Sequence, residues 1–276
     1  DMISLTGDTT TGKKIMQMAS SNLKRVHLEL GGKAPLIVMP DADLDFVAKG
    51  ATAGAFWNTG QDCTAVTRIY VNEKMHKKLL PYIVNETKKI RLGDPLAKDT
   101  DMGPLISARQ RDRVEGYIRS GMDEGAKLVH GGKRPKGRQF EKGYFLEPTV
   151  FTDVEQTMKI CREEIFGPVL GIATYDSVDD AIEKANDVDY GLAASVYGKD
   201  ITMAMKIANK LRFGTVWINE HGVLASEMPH GGYKQSGFGK DLSIYSLEEY
   251  TNVKHIYIDQ LGVARKPWHY TVYGKK

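Results

Sequence analysis

The chain has 276 residues, enough for one large domain or two smaller ones, and its composition is that of an ordinary globular protein: 41% hydrophobic, 26% charged. Thirty-eight basic against 35 acidic residues leave a net charge of +3, with the basic residues scattered, which argues against nucleic acid as a partner. Two cysteines without a CxxC pair imply a reducing, cytoplasmic setting, and no apolar run much longer than LIVM is present to span a membrane.

The opening MISLTG predicts a strand running into a helix, without a basic and apolar leader. VHLELGGKAPLIVM reads as two extended segments broken by a Gly-Gly turn. DADLDFVAKGATAGAFWN follows as a helix that Asp41 or Asp43 could cap. AVTRIYVN is a strand, and KMHKKLLPYIVNETKKI is a helix carrying Pro81 near a kink or its first turn. A helix at SARQRDRVEGYIRSGMDEG, strands at AKLVHGG and LEPTVFTDV, and further alternation to GTVWIN complete the pattern. Strand–helix alternation of this density predicts an α/β fold with a largely parallel sheet. YTNVKHIYIDQL, near the end, reads as an exposed strand.

Several stretches carry candidate chemistry. GDTTTGKK matches most of a P-loop, but Lys14 stands where a magnesium-ligating Ser or Thr is required, so only an anion site at the helix N-terminus survives. In LELGGK, Glu29 lies between two leucines. On its own it reads first as a strand-end residue facing solvent; partly buried, it would be a general base with a raised pKa. Cys63 sits in NTGQDCTA among small and polar residues, which suits an approachable thiol better than a packing one. Cys161, in TMKICREEIFGPV, reads as a buried thiol. His27, His221 and His230 have no partner at metal-ligand spacing, so no metal site is expected.

LELGGKAPLIVMPDADLD, GQDCTA, REEIFGPVL and EMPHGGYKQSGFGKD together resemble the successive signature blocks of the aldehyde dehydrogenase superfamily, in order and over essentially the whole chain. Asp62 before the cysteine, SEMPHGG and GKDLSIYSLEEYTNVKH resemble most closely the gamma-aminobutyraldehyde and betaine-aldehyde dehydrogenases. The resemblance implies a Rossmann-like end at residues 1–31, a complete α/β catalytic domain at 32–231, and a return segment with a C-terminal oligomerisation strand at 232–276. It implies Cys63 as nucleophile and Glu29 as general base. It further implies contacts from Gly7, Gly12, Leu30, Gly31, Glu164 and Phe166 to NAD (or NADP), and from Asp62 and Trp57 to an aldehyde such as 4-aminobutanal. A helped thiol, by a basic partner or a depressed pKa, is expected.

Asp8 departs from the family's usual serine, and its carboxylate would repel a phosphate; it either turns away or the pyrophosphate lies elsewhere. The family is also much longer. The resemblance therefore implies a C-terminal portion, preceded by most of the nucleotide site and by an asparagine that completes the oxyanion hole with the Cys63 N–H. A homo-oligomer, dimer or tetramer, is implied. The rival reading is a catalytically silent relative retained for binding or structure, against which the presence of Cys63, Glu29 and Glu164 weighs.

Overall fold

A computed structural model describes residues 1–260, 262 and 266–273. In chain order the elements are β1 (Met2–Thr6), α1 (Thr9–Ala19), β2 (Arg25–Glu29), β3 (Ala34–Val38), α2 (Leu44–Phe56), β4 (Val66–Asn72), α3 (Glu73–Lys88), α4 (Ala108–Asp123), β5 (Lys127–His130), β6 (Thr149–Thr152) and α5 (Lys159–Arg162). Then come β7 (Val169–Tyr175), α6 (Val178–Asn186), β8 (Tyr190–Gly191), β9 (Ala193–Tyr197), α7 (Ile201–Lys210), β10 (Thr215–Ile218), β11 (Tyr233–Lys234), β12 (Gly237–Phe238), α8 (Ser243–Glu249) and α9 (Tyr270–Tyr273).

The main sheet has seven strands in the order β10-β9-β3-β4-β7-β6-β5, all parallel to their neighbours except the edge strand β5. Parallel strands are covered on both faces, so they read as continuous apolar runs. All five residues of β3 (APLIV) are buried accordingly. On one face Leu36, Val38, Ile69 and Val71 pack with Val47, Ala51 and Ala55 of α2 and Leu79 and Ile83 of α3. On the other, Ile37, Tyr70 and Val196 join Val114 and Ile118 of α4, Ala181 of α6 and Ile207 of α7. The α/β architecture expected from the alternation is present.

Helix starts follow capping chemistry. Asp43, rather than Asp41, caps α2 by accepting from the N–H groups of Asp45 and Phe46. Pro81 lies inside α3, not at its first turn.

A second, three-stranded sheet pairs β1 with β2 in parallel, and β12 returns antiparallel to β2. The segment after residue 231 thus closes onto the strand that ends in Glu29.

The exposed strand expected at YTNVKHIYIDQL is absent among its described residues, 250–260; Leu261 lies outside them. Val253, Ile256 and Ile258 are 100%, 71% and 73% exposed. A strand is defined by a hydrogen-bonded neighbour, and among the described residues no strand pairs with this segment.

Candidate active site

Strands β1 and β2 end at one crevice, the carboxyl-end position where ligands bind in open α/β sheets. A cavity of about 430 Å³ opens there, and it brings together Gly7, Glu29, Leu30, Gly31, Asp62, Cys63, Glu164 and Phe166. These come from four separate stretches of sequence.

The two glycines of LELGGK have separate reasons. A Cβ on Gly31 would stand 2.5 Å from Glu164 Oε2, and one on Gly32 only 2.0 Å from the Cys63 carbonyl oxygen. The Gly32 N–H donates to Glu164 Oε1 at 2.9 Å. Ser236, fully buried, donates its hydroxyl to the Gly31 carbonyl at 2.6 Å, and its own carbonyl accepts the Leu30 N–H. Arg68, buried in β4, donates from Nε and Nη2 to the Lys33 carbonyl at 3.0 and 2.7 Å. The turn is therefore pinned from both sides.

The Cys63 loop is shaped by backbone strain. Asn58, Thr59 and Gly60 all take left-handed φ values of 50°, 61° and 66°, uncommon for any residue but glycine and least favourable for β-branched Thr59. The loop is then fixed by Asp62, whose Oδ1 accepts from the N–H and hydroxyl of Thr64 at 2.8 and 3.0 Å. His221 Nε2 donates to the Thr64 carbonyl at 2.7 Å and its Nδ1 accepts from the Ser195 hydroxyl at 3.1 Å. Burial pushes the His221 pKa down, favouring the neutral ring that this pairing needs.

The same strained turn separates Trp57 from Cys63. Trp57 is 69% exposed, beside a different surface depression with Phe56 and Met102, so the structure does not bring it to the cavity. Gly12 does not line the cavity either; a Cβ there would meet Leu30 Cδ1 at 2.7 Å, so it serves the packing of α1 on the end of β2.

Electrostatically the site is carboxylate-rich. Burial first, then Asp241, pushes the Glu29 carboxyl up from its ordinary 4.5 to about 8. Burial, followed by Asp62, Glu164 and Glu29, pushes the Cys63 thiol up to about 12. The depressed thiol pKa expected as one route to activation is thus overturned: nearby anions oppose a thiolate. For the other route, a basic partner, Glu29 is the carboxyl that lines the same cavity. Cys161 is 1% exposed, within the core under β4.

Glu164 is half-buried and raised mainly by burial. Its backbone is held by Arg113 Nη2, which donates to the Glu164 carbonyl at 2.8 Å, and Gln110 Nε2 donates to the Phe166 carbonyl at 2.7 Å. A carboxylate that accepts one N–H and faces a cavity retains capacity for a diol. Asp8, by contrast, takes the N-cap of α1, accepting from Thr10 and Thr11 N–H at 2.8 and 3.3 Å. The carboxylate thus occupies two N–H donors at that helix start while still lining the cavity.

Sequence reasoning missed Ser236, His221, Gln110 and Arg113. They act through contacts made across the fold, and no local pattern marks them. It also missed a cluster behind Glu29. His27 Nε2 lies 3.1 Å from Asp241 Oδ1 and 4.0 Å from Glu29 Oε1, and Nδ1 is 2.7 Å from Glu249 Oε2. Spacing along the chain gives His27 no metal-type partner; the fold closes carboxylates upon it.

The aldehyde dehydrogenase family model matches residues 1–256. The chain belongs to the aldehyde dehydrogenase family. It is 48% identical over 257 residues to a betaine aldehyde dehydrogenase of Bacillus subtilis, covering 93% of this chain and 52% of that protein. It is 46% identical over 266 residues to one from Brucella melitensis, covering 96% and 54%. A crystal structure of a betaine aldehyde dehydrogenase point mutant from Staphylococcus aureus in complex with NAD+ superposes with a TM-score of 0.91 at 43% identity, covering 93% of this chain and 52% of that one. An aldehyde dehydrogenase mutant from Bacillus cereus gives 0.90 at 45%, covering 94% and 52%. This aldehyde dehydrogenase chain thus spans about half the length of the curated relatives it matches. Among its described residues no helix is long and apolar enough to cross a membrane.

Proposed function

We propose that the chain supplies the nucleophile, the base and part of the cofactor site for NAD-dependent oxidation of an aldehyde to its acid, with an aminoaldehyde such as 4-aminobutanal as substrate. One observation carries this reading: Cys63, Glu29 and Glu164, distant in sequence, line a single cavity.

Glu164 is the residue to accept the ribose hydroxyls beside the nicotinamide, with the Phe166 ring next to it and Gly31 leaving room for the carboxylate. Leu30 and Gly7 line the same wall. When bound, the dinucleotide accepts the hydride released by the substrate carbon. Cys63 Sγ adds to the carbonyl carbon, and the displaced π pair becomes an oxyanion that the Cys63 N–H helps hold. Re-formation of the carbonyl as hydride leaves gives a thioester on Cys63. Glu29 then takes a proton from water as its oxygen attacks the thioester, and the C–S bond breaks to release the acid and the sulfur.

Moving the thiol proton to Glu29 is uphill, because the thiol pKa stands well above that of the carboxyl. A cation entering the cavity offsets the carboxylates that oppose the thiolate. This favours a substrate with a positive end, and Asp62 is the group proposed to attract it.

A second reading takes betaine aldehyde as substrate, which the names of the relatives favour. The test is direct: the native protein with NAD+ and each aldehyde, following NADH formation and trapping the acyl adduct by mass spectrometry. An adduct on Cys63 with higher kcat/KM for 4-aminobutanal supports the first reading. Higher kcat/KM for betaine aldehyde supports the second, and an adduct elsewhere overturns both.

The apolar segment containing Val253, Ile256 and Ile258 is proposed to assemble copies into a homo-oligomer, since full exposure of such side chains in water is unfavourable. Truncation after Glu249 should then give smaller assemblies or aggregates by light scattering; an unchanged soluble oligomer would exclude this role.

A further inference from the structure

We propose that His27, Glu29 and Asp241 form a site for a borderline divalent cation such as Zn²⁺, and that the bound ion withdraws Glu29 from the reaction. One ligand atom from each residue lies within 4.8 Å of the other two.

Two buried atoms point to a ligand independently of the acidic character of the cluster. His27 is 1% exposed and Glu29 5%, yet His27 Nε2 and Glu29 Oε1 have no hydrogen-bond partner. Orphaned polar atoms at such burial are costly. Asp241 Oδ1 is only 3.1 Å from Nε2, but it stands off the direction an N–H would take, so no hydrogen bond forms. An ion between these atoms would satisfy all three.

The imidazole is set for this. Its Nδ1–H donates to Glu249 Oε2 at 2.7 Å, which leaves the Nε2 lone pair free on the side of the ring where Glu29 and Asp241 stand. A carboxylate behind a ligating histidine is the arrangement that fixes tautomer and ring orientation at zinc sites. Tetrahedral zinc with bonds of about 2.0–2.1 Å needs ligand atoms roughly 3.3 Å apart. The two observed separations from Nε2, 3.1 and 4.0 Å, bracket that value. One imidazole with two carboxylates suits zinc-like ions better than calcium or magnesium, which prefer all-oxygen shells. The Asp241 and Glu249 carboxylates, joined by Glu29 when it yields its proton to the ion, outweigh the nearby Lys240 ammonium, which is turned to the Gly231 carbonyl at 2.9 Å. Asp241, whose side chain is 49% exposed, gives an ion its way in.

The test is titration of the chelator-treated native protein with Co²⁺, reading visible d–d bands, with Zn²⁺ as competitor. The expected result is one saturable site whose bands Zn²⁺ displaces. Those bands disappear in His27→Gln and in Asp241→Asn and persist in Cys63→Ala. Glu249→Gln should weaken binding by roughly 10–100-fold. Zn²⁺ should inhibit turnover, with recovery on chelation. Because Asp241 is half exposed, its variant keeps the test valid even if His27→Gln fails to fold. No saturable binding, bands that survive Asp241→Asn, or bands lost in Cys63→Ala with a sulfur-to-cobalt charge-transfer signal would overturn the proposal.

Discussion

The loop around Cys63 and the helix around Cys161 hold the same side chain in opposite settings. Cys161 lies in the core, its sulfur 3.7 Å from the Tyr70 hydroxyl and from Gln156 Oε1, where it behaves as a small apolar group. Cys63 is half-buried at a cavity, at the end of a strained turn, beside a carboxylate. A low pKa is not what sets Cys63 apart, because its thiol is pushed up to about 12 by desolvation and anions. What distinguishes it is an open approach and the Glu29 carboxyl, pushed up to about 8, in the same cavity.

The largest expected effect tests that contrast. In the complete enzyme Cys63→Ala should abolish aldehyde oxidation, whereas Cys161→Ala should leave turnover within a few-fold and lower stability by about 1 kcal/mol through a small cavity. Similar losses of turnover in the two variants would remove the distinction.

Glu29→Gln comes next. The amide is nearly isosteric but takes no proton, so turnover should fall by roughly 100- to 10,000-fold. The wild-type rate should rise with pH through about 8 as Glu29 loses its proton, and this limb should vanish in the variant. Stability moves the other way. A carboxyl whose folded pKa exceeds its unfolded 4.5 contributes stability that is complete below 4.5 and lost as pH rises through about 8. Thermal melts between those limits should therefore show wild type losing stability relative to Glu29→Gln. Parallel curves would mean that Glu29 is more hydrated than its burial indicates.

Gly32→Ala tests how the nucleophile loop is held. The added Cβ would meet the Cys63 carbonyl oxygen, a backbone atom that yields only if the loop moves. Overpacking of this kind costs about 1–3 kcal/mol, and displacement of the loop should lower kcat more than it raises KM. An unchanged kcat would show that the loop relaxes without consequence for Cys63.

The parts of this molecule legible in sequence are those set by local pattern. Apolar runs marked β3, β4 and β7, and helical spacing marked α2 and α3. The family resemblance marked ten site residues, of which eight meet at the cavity. What escaped depends on what the fold sets beside each residue. Trp57 reads as close to Cys63, until three left-handed residues turn the chain between them. His27 and Glu249 meet across 222 positions, a pairing made by the return of the chain onto β2. Residues 250–260 carry strand-like apolar residues, but among the described residues no strand pairs with them.

The smallest effect concerns Asp62, where two roles compete. Oδ1 is engaged by Thr64, which supports a loop-shaping role, while the side chain also lines the cavity and helps raise the Cys63 pKa. Asp62→Asn keeps an oxygen for Thr64 but removes the charge. The thiol should then react faster with iodoacetamide at a given pH, because one of the anions opposing the thiolate has gone. Attraction of a cationic substrate across a half-hydrated site is on the order of 1 kcal/mol. KM for 4-aminobutanal should accordingly rise several-fold, while that for a neutral aliphatic aldehyde of similar length stays nearly constant. Equal changes for the charged and neutral aldehydes would leave Asp62 with its loop role alone, and the positive end of the substrate would need another partner.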